Sequence, residues 1–288
     1  MMSRCTRIGY AVLLAMLSAS LANAGESVPS APRGAPDESM VVRLAVVNTP
    51  YSSGLLADLL AGFERQSGYQ VDVYSGNDVY ERARAGKADI VISHYGKEPI
   101  TSFVLEGYGE WPEMVFSNQS ALIGHRSDPA NVRGLRSTAE ALQRIASSQA
   151  TFIHNNSRAV SYLTEVALES IGQPDRAGWF RDAGRSNAAA AMLAEETRGY
   201  FIWGAVPFLR YLRQHRSSEL EILVAEDPAL QRIMAAVLVS DQKLNGINSA
   251  GAAALLEYLL APATQAKIAA FRTPGTDLQL WWPAGRNN

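Results

Sequence analysis

From residue 41 onward the chain alternates between two hydrophobic periods. Residues 42–47 form a short β-branched run, and residues 55–66 then set Leu55, Leu56, Leu59, Leu60 and Phe63 at helical spacing. Residues 71–74 alternate as a strand does, residues 79–85 suit a short helix, and residues 89–93 read as a buried strand. The same grammar gives strands at 114–116 and 121–124, a helix at 138–148 with Ala139, Leu142, Ile145 and Ala146 inward, and a strand at 150–153. Helices at 160–171 and 188–198, strands at 200–203 and 220–224, and closing helices at 249–260 and 262–271 complete the series. No segment recurs at the period of a solenoid repeat.

Strands that alternate with helices imply an α/β architecture of mostly parallel sheets flanked by helices. Two hydrophobic runs, 121–124 and 235–239, bracket a self-contained set of elements. The chain is therefore expected to fold as one lobe from residues 41–118 and 236–288 and a second from 119–235, with a cleft between lobes. Ligands of such folds sit at the carboxyl ends of strands, where loops present backbone N–H groups and helix N-termini. The loops at 48–54 and 154–161 answer to that description.

Composition then restricts the setting. Residues 1–24 have the form of a cleaved signal peptide: Arg4 and Arg7, an apolar run at 11–21 too short to span a bilayer, and Ala22-Asn23-Ala24 before Gly25. Cys5, the one cysteine, precedes the apolar run, so no lipid anchor is expected and the mature protein should be a soluble periplasmic monomer without disulfides. Residues 25–40, rich in Pro, Gly and Ser, read as a flexible lead-in. Formal net charge is -2, and removing Arg4 and Arg7 from 26 basic residues leaves 24 against 28 acidic ones. A chain with that balance has no basic field for a nucleic acid backbone.

Specific catalytic signatures are absent: the sequence contains no G-x-S-x-G, no P-loop, no H-E-x-x-H and no C-x-x-C. His94, His125, His154 and His215 stand far apart without carboxylates at ligand spacing, so no metal and no cofactor are expected. Asp58, Glu64, Asp72 and Asp89 suit solvated faces and caps. Arg210, Arg213, His215 and Arg216 lie late in an amphipathic helix, where positive charge complements the helix dipole. Trp281-Trp282 could stack on a sugar ring, but beside Pro283 it reads first as a lid packed on its own domain.

Several segments together resemble the periplasmic tungstate-binding component of ABC transporters, from about Leu44 to Phe271. They are Ser53-Gly54-Leu55-Leu56, Ala88-Asp89 with His94, Phe103-Val104 with Gly107-Tyr108-Gly109, Ile123-Gly124 with Asp128-Pro129, and Gly178-Trp179-Phe180. The resemblance implies a two-lobed type II periplasmic binding protein, not an enzyme, that closes on a small solute. Its partner would be a membrane permease of an ABC transporter, or a membrane sensor, and its ligand an oxyanion of the tungstate or molybdate class. A small organic or neutral ligand is the alternative. An exported hydrolase on the same fold would have only Thr49 and Ser161, with His154, to work with.

The family's binding motifs are altered in this chain. Its Thr/Ser run after the first strand stands here as Val46-Val47-Asn48-Thr49, and its Ser-Arg-Gly-Asp-x-Ser-Gly-Thr loop as residues 154–161. Asn155 takes the place of the arginine, Ser161 that of the final threonine, and Arg158 lies three residues on. A later family segment, Thr-Leu-Thr-Asp-Arg-Gly-Thr, has become residues 201–207 with Trp203 in it. The resemblance thus implies a ligand site of Asn48, Thr49, Ser52, Tyr95, Asn155, Ser157, Arg158, Ser161 and Trp203, with fewer anion donors and more aromatic surface. Tyr51 and Tyr162 add to that surface, while Trp203 suits a lobe core equally well.

Overall fold

The computed structural model describes residues 37–96 and 98–284. The expected signal peptide, and the lead-in up to residue 36, lie outside the described residues. The last four residues of that lead-in are folded: Asp37 caps a 3-10 turn at Glu38–Met40, and the Asn248 amide donates to the Ser39 carbonyl at 2.9 Å.

The first part of the chain runs β1 (Val41–Val46), α1 (Asn48–Ser52), α2 (Leu55–Ser67), β2 (Gln70–Ser75), α3 (Val79–Arg84), β3 (Ile90–His94) and α4 (Glu98–Leu105). The β-branched residues of β1 and β3 fill the centre of a sheet, and α2 covers it with the five apolar residues that its period predicts. Gly68, at φ 81°, ends α2 in a left-handed turn that an L side chain would strain. Asp89 is wholly buried and not on a solvated face. It accepts from the backbone N–H of Arg43 at 2.7 Å, from the Arg43 guanidinium, and from the backbone N–H of Asn248 at 2.9 Å, and so ties β1 and β3 to the later chain. The resulting pair consumes a charge that the sequence alone assigns to solvent.

Next come β4 (Glu113–His125), α5 (Thr138–Ser147), β5 (Phe152–Ile153), α6 (Ser161–Ser170), β6 (Phe180–Arg181), α7 (Ala188–Glu196) and β7 (Tyr200–Gly204). The remainder is α8 (Ala205–Gln214), β8 (Leu220–Val224), β9 (Gln231–Leu238), α9 (Ser249–Leu260), α10 (Pro262–Ala270) and β10 (Trp281–Pro283). The strand order is β2-β1-β3-β9-β4-β7-β5-β6, with β8 and β10 also on β4.

Pairing is parallel among β1, β2 and β3 and among β5, β6 and β7, which is the βαβ logic the alternation predicts. The middle differs: β4 and β9 pair antiparallel with each other and with their other neighbours, so the sheet as a whole is mixed. Strand β4 is one continuous element across the two short runs expected at 114–116 and 121–124. Up to Gln119 it pairs with β9 and β10, and from Ser120 it pairs with β7 and β8. Trp281 is core, edge-on to Phe116 at 5.4 Å, and the Trp282 indole donates to Gln119 at 3.0 Å, so the tryptophan pair closes the sheet. Among the described residues, no helix is long and apolar enough to cross a membrane.

Candidate functional site

A cleft of about 1320 Å³ opens where β4 and β9 cross between the two parts of the sheet. Its walls come from both: Val47 to Thr49, Tyr80 and Ser93 to Gly96 on one side, Ser157 to Val160, Asn187 and Trp203 on the other. Asn118 on β4 and Gln231, Arg232 and Ile233 on β9 also line it.

Helix starts dominate this lining. Helices α1, α3, α6, α7 and α8 all begin at the cleft, and none has a side-chain hydrogen bond at its N-cap, the caps being Val47, Asp78, Val160, Asn187 and Gly204. By contrast α5 and α9, which begin elsewhere, are capped by the Ser137 hydroxyl and the Asn248 amide. Helix α2 lacks a side-chain cap too, and α10 enters through Pro262, which has no N–H to satisfy. Uncapped starts leave backbone donors and the positive ends of helix dipoles facing the cleft. The three longer helices, α6, α7 and α8, matter most, since each has at least two full turns to sum.

Charge follows the same sign. Three arginines line the cleft, Arg158, Arg210 and Arg232, against one carboxylate, Glu81. Arg158 and Arg210 are exposed, whereas Arg232 is buried to 7% exposure. Burial lowers the Arg232 pKa from its ordinary value, and the hydroxyl of Tyr162 works the other way. Opposite, the hydroxyls of Tyr80 and Ser93 share a hydrogen bond of 2.6 Å, and burial pushes the Tyr80 phenol up to about 12.

Of the residues expected at the site, Asn48, Thr49, Tyr95, Ser157, Arg158 and Trp203 line the cleft. Asn48 accepts from the Ser75 hydroxyl at 2.9 Å, which leaves it an amide donor. Trp203 belongs to core and cleft at once: it packs with Phe201, Phe208 and Tyr211 while its indole N–H donates to Asn187 at 3.1 Å. Ser52, Asn155 and Ser161 do not line it. Ser52 is exposed and its hydroxyl turns back to the Thr49 carbonyl at 3.4 Å, and the Ser161 N–H donates to the Ser157 carbonyl. Asn155 is 0% exposed, and its amide is spent on backbone: it donates to Ile202 at 3.0 Å and accepts from Ser157 at 3.2 Å and Asn187 at 2.9 Å.

The residues that pattern reading overlooked are Asn118, Asn187 and Arg232, and Arg210, read from the sequence as part of a solvated helix end, also lines the cleft. For Arg232 a signal existed, an arginine at the head of an apolar strand run, but hydrophobic periodicity treats such a residue as solvated. His154, the base available to a hydrolase, is buried and lies tilted against Phe180 with ring centroids 5.6 Å apart. Among the described residues, no group of three His, Cys, Asp or Glu could hold a metal ion.

No family model matches the chain. It is 25% identical over 265 residues to the tungstate-binding protein TupA of Peptoclostridium acidaminophilum, covering 89% of this chain and 91% of that one. Among solved structures, the tungstate-binding protein TupA of Desulfovibrio alaskensis superposes with a TM-score of 0.72 at 24% identity, over 84% of this chain and 98% of the other. The tungstate ABC transporter protein of Geobacter sulfurreducens superposes with a TM-score of 0.64 at 24% identity, over 80% and 98%. With its mixed sheet, its crossing strands and its central cleft, the chain has the two-lobed type II periplasmic-binding-protein fold and is similar over most of its length to tungstate-binding components of ABC transporters.

Proposed function

We propose that this protein is a periplasmic solute-binding protein that captures a small oxyanion of the tungstate or molybdate class and delivers it to the permease of an ABC transporter. The ligand lies in the cleft, between a lobe of residues 41–118 and 236–288 and a lobe of residues 119–235, and the protein acts as a monomer. Asn48, Thr49, Ser157 and Arg158 are its proposed contacts from the loops, with Tyr95 and Trp203 closing the sides; Ser52, Asn155 and Ser161 support those loops.

The observation that carries this reading is the convergence of uncapped helix starts on a cleft with three arginines and one carboxylate. Backbone N–H donors and guanidinium groups suit a ligand made of acceptor oxygens and suit a cation poorly. The similarity to proteins named for tungstate binding supports the same class.

Thermal unfolding in the presence of tungstate, molybdate, sulfate and phosphate tests it. At 100 times its dissociation constant, a ligand adds about 2.7 kcal/mol to the stability of the protein. For a domain of this size that raises Tm by roughly 5–11 °C. A protein stabilised by neutral sugars or amino acids and by none of the four anions has a different ligand, and the proposal fails.

A further inference from the structure

Arg232 is unlike the other two cleft arginines. It is 7% exposed, its Nε has no hydrogen-bond partner, and no carboxylate among the described residues pairs with it. A guanidinium taken out of water without an anion carries a desolvation cost that surface arginines escape. Asn118 stands directly across from it in the β4–β9 register, is 2% exposed, lines the same cleft, and has an Oδ1 likewise without a partner. Two neighbouring polar side chains on the crossing strands, both more than nine-tenths buried, thus line the cleft with one polar atom each left without a partner.

We infer that Arg232, with Asn118 and Tyr162 beside it, is the charge-recognising subsite of the cleft, and that it takes the anionic oxygens of the solute, whether a tetrahedral oxyanion or a carboxylate. This inference rests on the proposed solute-binding function and locates its charge recognition on the crossing strands. The loop arginine is the weaker candidate, since Arg158 is exposed and its field is screened by water and salt. A guanidinium buried at the junction of the lobes acts in lower dielectric, where an approaching anion relieves its desolvation. Tyr162, on α6, is half-exposed and brings the second part of the chain to the same point, so an anion held there touches both walls.

The test is isothermal titration of tungstate, phosphate, acetate and succinate into the wild type, Arg232→Gln, Arg232→Lys and Arg158→Gln, with ligand-free Tm measured for each. Arg232→Gln is expected to weaken the anion that the wild type binds by about 10- to 100-fold, the loss of one charge-assisted contact. Arg158→Gln, at an exposed contact, is expected to weaken it by less than Arg232→Gln does, and a larger loss than that of Arg232→Gln overturns the assignment. The ligand-free Tm of Arg232→Gln should match or exceed the wild type, because the substitution removes an unpaired buried charge. A residue with a merely structural role would lower Tm instead. Should Arg232→Gln not fold, Arg232→Lys decides: a point charge cannot replace the planar fork, so affinity should fall by at least about threefold. Unchanged affinity in the Arg232 variants, with the wild type binding an anion, overturns this inference and leaves the proposed function standing. A wild type that binds none of these four anions, nor molybdate or sulfate, overturns both. Tungstate or phosphate binding assigns a tetrahedral oxyanion, and acetate or succinate binding a carboxylate.

Discussion

Replacing Asn155 by alanine separates a ligand contact from a scaffold. The side chain is wholly buried and joins three segments: the carbonyl of Ile202 at the end of β7, the N–H of Ser157 in the cleft loop, and the N–H of Asn187 at the start of α7. Alanine leaves all three backbone groups without that partner. With each of the three bonds contributing about 1 kcal/mol net, the loss comes to about 3 kcal/mol. For a domain of this size, Tm falls by roughly 6–12 °C. Differential scanning calorimetry of the ligand-free protein measures that, and titration with tungstate measures the site. Affinity should drop as well, but only through the loosened positions of Ser157 and Asn187. A variant whose Tm stays within about 1 °C of the wild type while its affinity falls more than about tenfold would refute the scaffold role and make Asn155 a direct contact.

Two other perturbations have expected outcomes. Asp89→Ala strands the Arg43 guanidinium and the backbone N–H groups of Arg43 and Asn248; chemical denaturation should show a loss of about 3–5 kcal/mol, with unchanged tungstate affinity in the molecules that remain folded. Tyr80→Phe tests the alkaline limb of stability. The Tyr80 phenol is raised from 10.0 to about 12 by burial, so its contribution is fully present below pH 10 and is lost as pH rises through 12. That loss amounts to about 2–3 kcal/mol, and urea unfolding of Tyr80→Phe at alkaline pH should show a correspondingly shallower decline than the wild type.

Legibility of the fold tracked how far burial and hydrophobicity coincide. Helix α2 was readable because its inward face is apolar and its outward one polar, and strands β1 and β3 because they are short, mostly apolar runs buried on both faces. Strand β4 was read as two fragments because Ser117-Asn118-Gln119-Ser120 interrupts its apolar run, yet all four are buried. Their polarity is used at the junction: Gln119 takes the Trp282 indole and donates to the Asp227 carbonyl at 3.1 Å, while its N–H meets the Leu280 carbonyl at 3.0 Å. A strand that passes between the two parts of the sheet is flanked there by backbone and cleft rather than by core, so its middle can be buried without being apolar. Short elements escaped for another reason. Helix α1 has 5 residues and strand β6 has 2, too few for either period to register.

The site was legible to the degree that it lies on loops after strands. Asn48, Thr49, Ser157 and Arg158 follow from that rule and from the family resemblance together, and all four line the cleft. What neither could supply is the contribution of the crossing strands, because register is a property of pairing and pairing is long-range. Asn118 and Arg232 are separated by more than a hundred positions in the chain and meet only because β4 and β9 run antiparallel. On the proposal that Arg232 recognises the anion, the Asn155 loop need not supply the charge that the family resemblance expects there, since a second guanidinium lines the same cleft and a buried charge is tolerated where a ligand or a partner completes it. On that proposal a buried charged residue on a crossing strand, as Arg232 is near the start of β9, marks the site more strongly than an exposed one on a loop, since the buried position carries a desolvation cost that the exposed one does not.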